Sequence, residues 1–291
     1  MVDYFSDLKR DKTPQYAILQ ADDGDTVVTI YNSGKAVFQG RDADLAADFW
    51  IETERINSGK VNVTSSDEKD EKKKVERKIP LRISSIGSDE VGTGDFFGPI
   101  VVTATYVSKD NVDFLLELGV KDSKKMSDSE IRKVVPEIIK KVPYHTFILT
   151  NKQYNKVYGN DMNMNKMKAI LHNKVLSEFV QKDKYNYDYI VVDQFENPRS
   201  YYNHLTEAKF KVYGITFLTK AEDQCLSVAC ASLISRYIFL GEISKLIGET
   251  VPKGAGPLVD EFGKKIVNKY GNDKLDEVAK LSFKNTMRIL K

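Results

Sequence analysis

Acidic side chains stand at the ends of three apolar stretches, where a folded chain would bring them together. Asp89-Glu90 follows Ile83–Ile86 and leads into the glycine-rich Val91-Gly92-Thr93-Gly94. Asp193 closes Tyr189-Ile190-Val191-Val192, and Glu222-Asp223 comes shortly after Ile215–Leu218. In α/β sheets, sites gather at strand ends. Carboxylates converging there, with no evident matching basic residue, would repel one another unless a cation neutralised them. Hard oxygen ligands suit Mg²⁺ or Mn²⁺, and two such ions about 3.5–4 Å apart can clamp an in-line phosphoryl displacement. Taken singly, each carboxylate could equally be a turn residue or a helix cap. No Ser/His/Asp or Cys/His arrangement offers nucleophilic catalysis instead. Cys225 and Cys230 have no zinc-ligand spacing and read as small buried side chains in a reducing compartment.

The elements that must position these residues alternate between strand and helix. Arg82–Ile86, Ile100–Val107, His145–Leu149, Tyr189–Val192 and Ile215–Leu218 read as strands. Asn165–Val180 reads as a helix with Met167, Ile170, Leu171 and Val175 on one side, and Glu222–Leu240 as a long buried helix. This alternation predicts an α/β sheet covered on both faces. Ser127-x-x-Glu130 has capping-box spacing, which makes Lys121–Met126 a loop leading into a helix. Phe96 and Phe97 read as core anchors. His172 reads as a structural hydrogen-bonding residue, and His145 and His204 carry no motif.

Ahead of this lies a smaller α+β module. Tyr16–Leu19, Thr26–Tyr31 and Ala36–Gln39 read as strands, the last two joined by the hairpin signal Asn32-Ser33-Gly34. From Asp42 the spacing Leu45/Phe49 and Ala46/Trp50 predicts an amphipathic helix, with Asp42 near its start. Between the two segments, Ser65–Lys78 holds six basic and five acidic residues and one apolar residue, Val75, and reads as a linker or a solvated helix. The expected divisions are therefore 1–64, 65–78 and 79–291.

The chain has 44 basic and 42 acidic residues, a net charge of +2, which excludes a histone-like polycation and an acidic tail protein. The near-balance is uneven. Residues 1–64 carry 7 basic and 11 acidic side chains, and residues 79–291 carry 31 and 26. With no signal pattern at the N-terminus and no apolar run approaching about 18 residues, the expectation is a soluble, cytoplasmic protein without a membrane segment.

The stretch Ser88–Ala104, SDEVGTGDFFGPIVVTA, resembles the active-site signature of type 2 ribonucleases H. Lys121-Asp122-Ser123-Lys124-Lys125, Val191-Val192-Asp193, Lys220-Ala221-Glu222 and Ser227–Ser232, ending at Arg236, follow in the family's order. Within that family the chain is most similar to the ribonuclease HIII branch. Its glycine motif reads Gly-Thr-Gly where ribonuclease HII has Gly-Arg-Gly, and its fourth carboxylate is Glu rather than Asp. Tyr31–Gly40 is similar to the N-terminal module of that branch, which is related to half of the TATA-binding protein.

The resemblance implies a ribonuclease H-like catalytic domain with a mixed sheet flanked by helices, plus a small α+β N-terminal domain. It implies endonucleolytic hydrolysis of the RNA strand of RNA/DNA hybrids by two-metal-ion catalysis, with 5′-phosphate and 3′-hydroxyl products. Asp89, Glu90, Asp193 and Glu222 fall on the family's catalytic and metal-binding positions, with two Mg²⁺ or Mn²⁺ ions as cofactors and no organic cofactor. Asp223, beside the fourth, is then a helix-start residue. Gly92, Thr93 and Gly94 would read the 2′-hydroxyl, because backbone groups approach a ribose only where no Cβ intervenes. Lys121, Ser123, Lys124, Lys125 and Arg236 would contact phosphates, although Arg236 could instead pair with a carboxylate. Lys35 and Gln39, with Arg41 and Tyr31 nearby, would give the N-terminal module a substrate-binding face; that module's net negative charge leaves open a stabilising or protein-binding role. A monomer is expected. Incision at single ribonucleotides in DNA and non-catalytic hybrid binding are the alternative functions.

Overall fold

The structure is a computed structural model. It describes residues 1–23, 26–40, 43, 46–47, 50–51, 79–120, 125–159, 161–182, 184–248 and 251–291. The chain forms two compact units, Met1–Val75 and Glu76–Lys291. The charged stretch 65–78, Asp42 and Arg41 lie outside the described residues.

In the first unit, β1 (Ala17–Asp23), β2 (Thr26–Tyr31) and β3 (Ala36–Gly40) form an antiparallel sheet in that order. β-Branched residues fill β2, and alternation along the strands sends Leu19, Ala21, Val28 and Ile30 onto a small core with Phe5 and Trp50. Ala36 and Phe38 face the same core, so Val37 and Gln39 lie on the other face of β3, with Gln39 and the hairpin residue Lys35 exposed.

In the second unit a five-stranded sheet has the order β6-β5-β4-β7-β8, with β4 at Ser85–Val91, β5 at Ile100–Val107, β6 at Tyr144–Leu149, β7 at Tyr189–Asp193 and β8 at Ile215–Leu218. β4, β5 and β6 are antiparallel, whereas β7 and β8 run parallel to β4, which makes the sheet mixed. The expected strand at Arg82–Ile86 is displaced: β4 continues through Asp89 and Glu90, because β5 pairs with both of them at Thr103 and Val102. Polar residues near its end hide this extension from any apolar pattern.

Helices cover both faces. Met164–Val180 packs Met167, Leu171, Val175 and Leu176 onto Ile86, Val102, Ile190 and Val192. Leu226–Ile247 lies on the opposite face. It is long and apolar enough to cross a membrane by composition, but most of it is buried as the core helix of this unit. It begins at Leu226 rather than at Glu222, which sits in a preceding 3-10 turn, Ala221–Asp223. The close approach of this helix requires Gly87, since a Cβ there would meet Ser227 Oγ and Val228 N at 2.5 Å. Asp128–Lys141 starts with the expected capping box between Ser127 and Glu130.

The C-terminal helices Pro257–Tyr270, Asp273–Val278 and Lys284–Ile289 enclose Phe96 and Phe97. Beside them Lys280 is fully buried and donates to the carbonyls of Asp95 (2.8 Å) and Gly98. Burial pushes its ammonium down to about 7, against the opposing charge of Asp95. The unfolded chain, with an ordinary lysine near 10.4, therefore holds the extra proton between these values. The burial cost is full at and below pH 7 and is relieved as pH rises. Wild-type stability relative to Lys280→Met should thus increase between pH 7 and 9 by up to ~1.4 kcal/mol per unit. Urea denaturation of both proteins at the two pH values checks this, and an unchanged difference would refute it.

Candidate active site

Alternation along β4 places Asp89 and Glu90 on opposite faces of the sheet. Glu90 turns toward the Met164–Val180 helix, where His172 Nε2 lies 2.8 Å from Oε2 and Lys168 Nζ 2.6 Å from Oε1. Asp89 turns toward the Leu226–Ile247 helix, where Ser232 hydrogen-bonds its side chain and Ser235 Oγ lies 3.2 Å from its carbonyl oxygen. β7 pairs in parallel with Ser88 opposite Val192, so Asp193 emerges at the same end of the sheet as Asp89. Asp193 Oδ1 accepts the Ala221 N–H at 2.8 Å, which ties the turn carrying Glu222 to the end of β7.

The four carboxylates act on one another. Burial pushes Asp89 well above the ordinary range, and the charges of Glu90 and Asp193 add to this against hydrogen bonds from Ser232 and the Glu90 N–H. Burial also raises Asp193; the Ala221 N–H opposes it, and the charges of Glu222 and Glu90 reinforce it. Glu90 goes the other way. Burial would raise it, but hydrogen bonds and charge from His172 and Lys168 outweigh burial and pull it down. Lys168 thus corrects the expectation that no basic residue matches these acids; 78 positions from Glu90, it could not be read as its partner from local spacing.

A set of oxygen-only donors of like charge, with Asp89 and Asp193 pushed up by burial and by neighbouring acids, suits a hard divalent cation. Among the described residues, no three Asp, Glu, His or Cys side chains are already gathered in a metal-holding arrangement. Both Glu90 oxygens are engaged by Lys168 and His172. Asp223 is exposed and Glu222 is not, which favours Glu222 as the fourth member of the set.

His172 is the group whose role the sequence understated. It is completely buried, and its Nδ1 lies 2.7 Å from Ser88 Oγ while Nε2 meets Glu90. It is a hydrogen-bonding residue as expected, but one that orients a candidate ligand. Its place among Met167, Ala169, Leu171 and Val175 on the buried side of this helix was the available signal.

The glycine loop leaves the end of β4. Gly92 has φ +99° and its missing Cβ would lie 2.2 Å from the Pro99 carbonyl oxygen, so only glycine closes this turn. Gly94 is exposed with open space around it, and Thr93 is half-buried. Phe96 and Phe97 are buried behind the loop, as expected. Arg236 is engaged elsewhere: its Nη2 lies 2.6 Å from Asp128 Oδ1 and its Nη1 donates to the Met126 carbonyl at 3.2 Å. It thereby fixes the start of the Asp128–Lys141 helix, the pairing that competes with a phosphate role. Lys121, Ser123 and Lys124 lie outside the described residues.

Residues 86–286 match the family described as Ribonuclease HII, and residues 1–62 match a domain of unknown function (DUF3378). The ribonuclease HIII of Bacillus licheniformis is 42% identical, covering 94% of this chain and 88% of the relative. That of Geobacillus kaustophilus is 38% identical over 99% and 92%. The crystal structure of Bst-RNase HIII in complex with Mn²⁺ aligns with a TM-score of 0.70 at 37% identity, covering 96% of this chain and 90% of that one. The ribonuclease H2 of Pyrococcus horikoshii, at 21% identity and a TM-score of 0.59, shares the fold.

Two substitutions separate the adjacent acids. Glu222→Gln should abolish Mg²⁺-dependent phosphodiester hydrolysis and Asp223→Asn should retain it. Loss confined to the Asp223 variant would reverse the assignment. His172→Ala should lower activity by about 10–100-fold through loss of Glu90 orientation.

Proposed function

The chain belongs to the ribonuclease HII family, in its ribonuclease HIII branch, and we infer that it is a divalent-metal-dependent endoribonuclease acting on the RNA strand of RNA/DNA hybrids. The observation that carries this reading is the placement of Asp89, Glu90, Asp193 and Glu222 at one end of the sheet, with Ser88 pairing Val192 and the Ala221 N–H tying the Glu222 turn to Asp193 Oδ1. These four residues would hold the metal. Bound there, two Mg²⁺ or Mn²⁺ ions would activate a water and neutralise charge on the scissile phosphate and the leaving 3′-oxygen. His172, backed by Ser88, holds one oxygen of Glu90 in place. The Ala221 N–H does the same for Asp193.

Substrate discrimination falls to the loop beside Glu90. Gly92 allows the chain to turn sharply, and Gly94 presents backbone to open space, where a ribose 2′-hydroxyl can reach it. Lys121, Ser123, Lys124 and Arg236 would contact phosphates, Arg236 from its place beside Asp128 at the exit of that loop. In the N-terminal unit, exposed Lys35 and Gln39 offer a polar surface for the hybrid. The two buried free thiols, Cys225 and Cys230, suit work in the reducing cytoplasm.

Thr93 stands where ribonuclease HII carries arginine, which removes a phosphate contact and favours long hybrids over single embedded ribonucleotides. A labelled hybrid should be cut in Mg²⁺ or Mn²⁺ and left intact in EDTA or by Asp193→Asn. Metal-independent cleavage would reject the mechanism. A duplex with one ribonucleotide should be cut much more slowly than a long hybrid, and equal rates would reject the preference.

A further inference from the structure

We propose that Lys168 is a resident counter-ion of the carboxylate site, holding Glu90 until a divalent cation displaces it. The proposal rests on the metal-dependent reading above and adds a competitor built into the chain. Both oxygens of Glu90 are engaged, Oε1 by Lys168 at 2.6 Å and Oε2 by His172 at 2.8 Å. For Glu90 to offer an oxygen to a metal, one of the two must let go.

The two partners differ in how firmly they are held. His172 has no exposure, its second ring nitrogen is fixed by Ser88, and its ring stacks on Phe195 with centroids 5.6 Å apart. Lys168 stands one turn earlier on the same helix, at i,i+4 spacing, so both reach the same carboxylate. Its ammonium ends a flexible four-carbon stem, keeps 14% of its side chain exposed, and rests 4.0 Å from the centroid of the same Phe195 ring. A cation–π contact gives it a place to sit without consuming a second acid. Lys168 is therefore the partner that can withdraw.

Its charge reaches beyond Glu90. It lowers the proton affinity of Asp193 and of Glu196, so the ammonium lies within the field of three acids. A compact cation placed there offsets part of the repulsion that would otherwise oppose gathering these groups. The same placement occupies Glu90, and no preassembled metal cluster stands among the described residues. The incoming ion must replace the ammonium, and part of its binding energy is spent on that exchange.

Mn²⁺ binding to the full chain without nucleic acid, measured by calorimetry, tests this. Lys168→Met keeps the stem and removes the charge, whereas Lys168→Arg keeps the charge. The Met variant should bind Mn²⁺ about five-fold more tightly or better, the magnitude of an ordinary coupling between sites. The Arg variant should stay at or above the wild-type Kd. The metal-free Met variant should also melt at a lower temperature and gain more in Tm from Mn²⁺ than wild type. A cooperative melt for each variant confirms folding. An unchanged or weaker Mn²⁺ affinity in the Met variant overturns the proposal, provided wild type binds Mn²⁺ and cleaves the hybrid. A wild-type protein that does neither would instead overturn the functional reading itself.

Discussion

Four carboxylates are brought to one end of a sheet, and the rest of the catalytic unit is arranged around the cost of doing so. The period of two along β4 is the controlling constraint. It sends Asp89 to the Leu226–Ile247 helix and Glu90 to the Met164–Val180 helix, so each acid meets a different set of partners. A one-residue slip of register would exchange the two faces and leave both sets unmatched. The parallel pairing of β7 then fixes Asp193 beside them, and a single backbone N–H from Ala221 ties the Glu222 turn to it.

The two covering helices are consequently unlike each other in chemistry. Met164–Val180 brings cationic and polar groups, Lys168 and His172, through an otherwise apolar contact face. Leu226–Ile247 brings small residues, and its serines at 227, 232 and 235 serve the alternate positions of β4: Ser85, Gly87 and Asp89. Gly87 is where these demands meet, because only a missing side chain lets the helix come close enough for the serines to reach the strand.

Much of this was legible from local pattern. The runs Ile100–Val107 and Ile215–Leu218, the capping box at Ser127 and the acids at the strand ends all rest on neighbours in sequence. What escaped depends on neighbours in space. Lys168 looks like one more surface lysine until the fold sets it against Glu90. For Arg236 a carboxylate partner is open from the sequence, but which one is not: the fold supplies Asp128, 108 positions away. The extension of β4 through Asp89 and Glu90 exists because β5 supplies a ladder there, not because those residues favour strand. The turn at Ala221–Asp223 forms where an apolar pattern promised helix, with Lys220 in the left-handed region at φ 54°. That turn is tied to the end of β7 through the Ala221 N–H on Asp193.

Lys280, buried among the C-terminal helices, answers a demand of the glycine loop. A loop that recognises substrate through its own backbone must have that backbone immobile, since side-chain adjustment cannot correct a misplaced N–H. After Gly92 turns against Pro99, the segment through Gly98 is pinned from the C-terminal side. Phe96 N–H donates to Gly254 O at 2.9 Å, and Asp95 Oδ1 accepts the Gly254 N–H at 2.6 Å. Lys280 takes the carbonyls of Asp95 and Gly98, and Asn151 Nδ2 also reaches Gly98 O at 2.9 Å. An apolar residue at 280 would take this donor from the Asp95 carbonyl and leave Gly98 O with Asn151 alone, and water cannot reach a position with no exposure. The long stem of lysine delivers the needed donors through an apolar wall, and the lowered affinity of the ammonium for its proton is the electrostatic consequence of that location. The C-terminal segment thus fixes the backbone of the loop proposed above to read the substrate, through Gly254 and Lys280 on Asp95, Phe96 and Gly98.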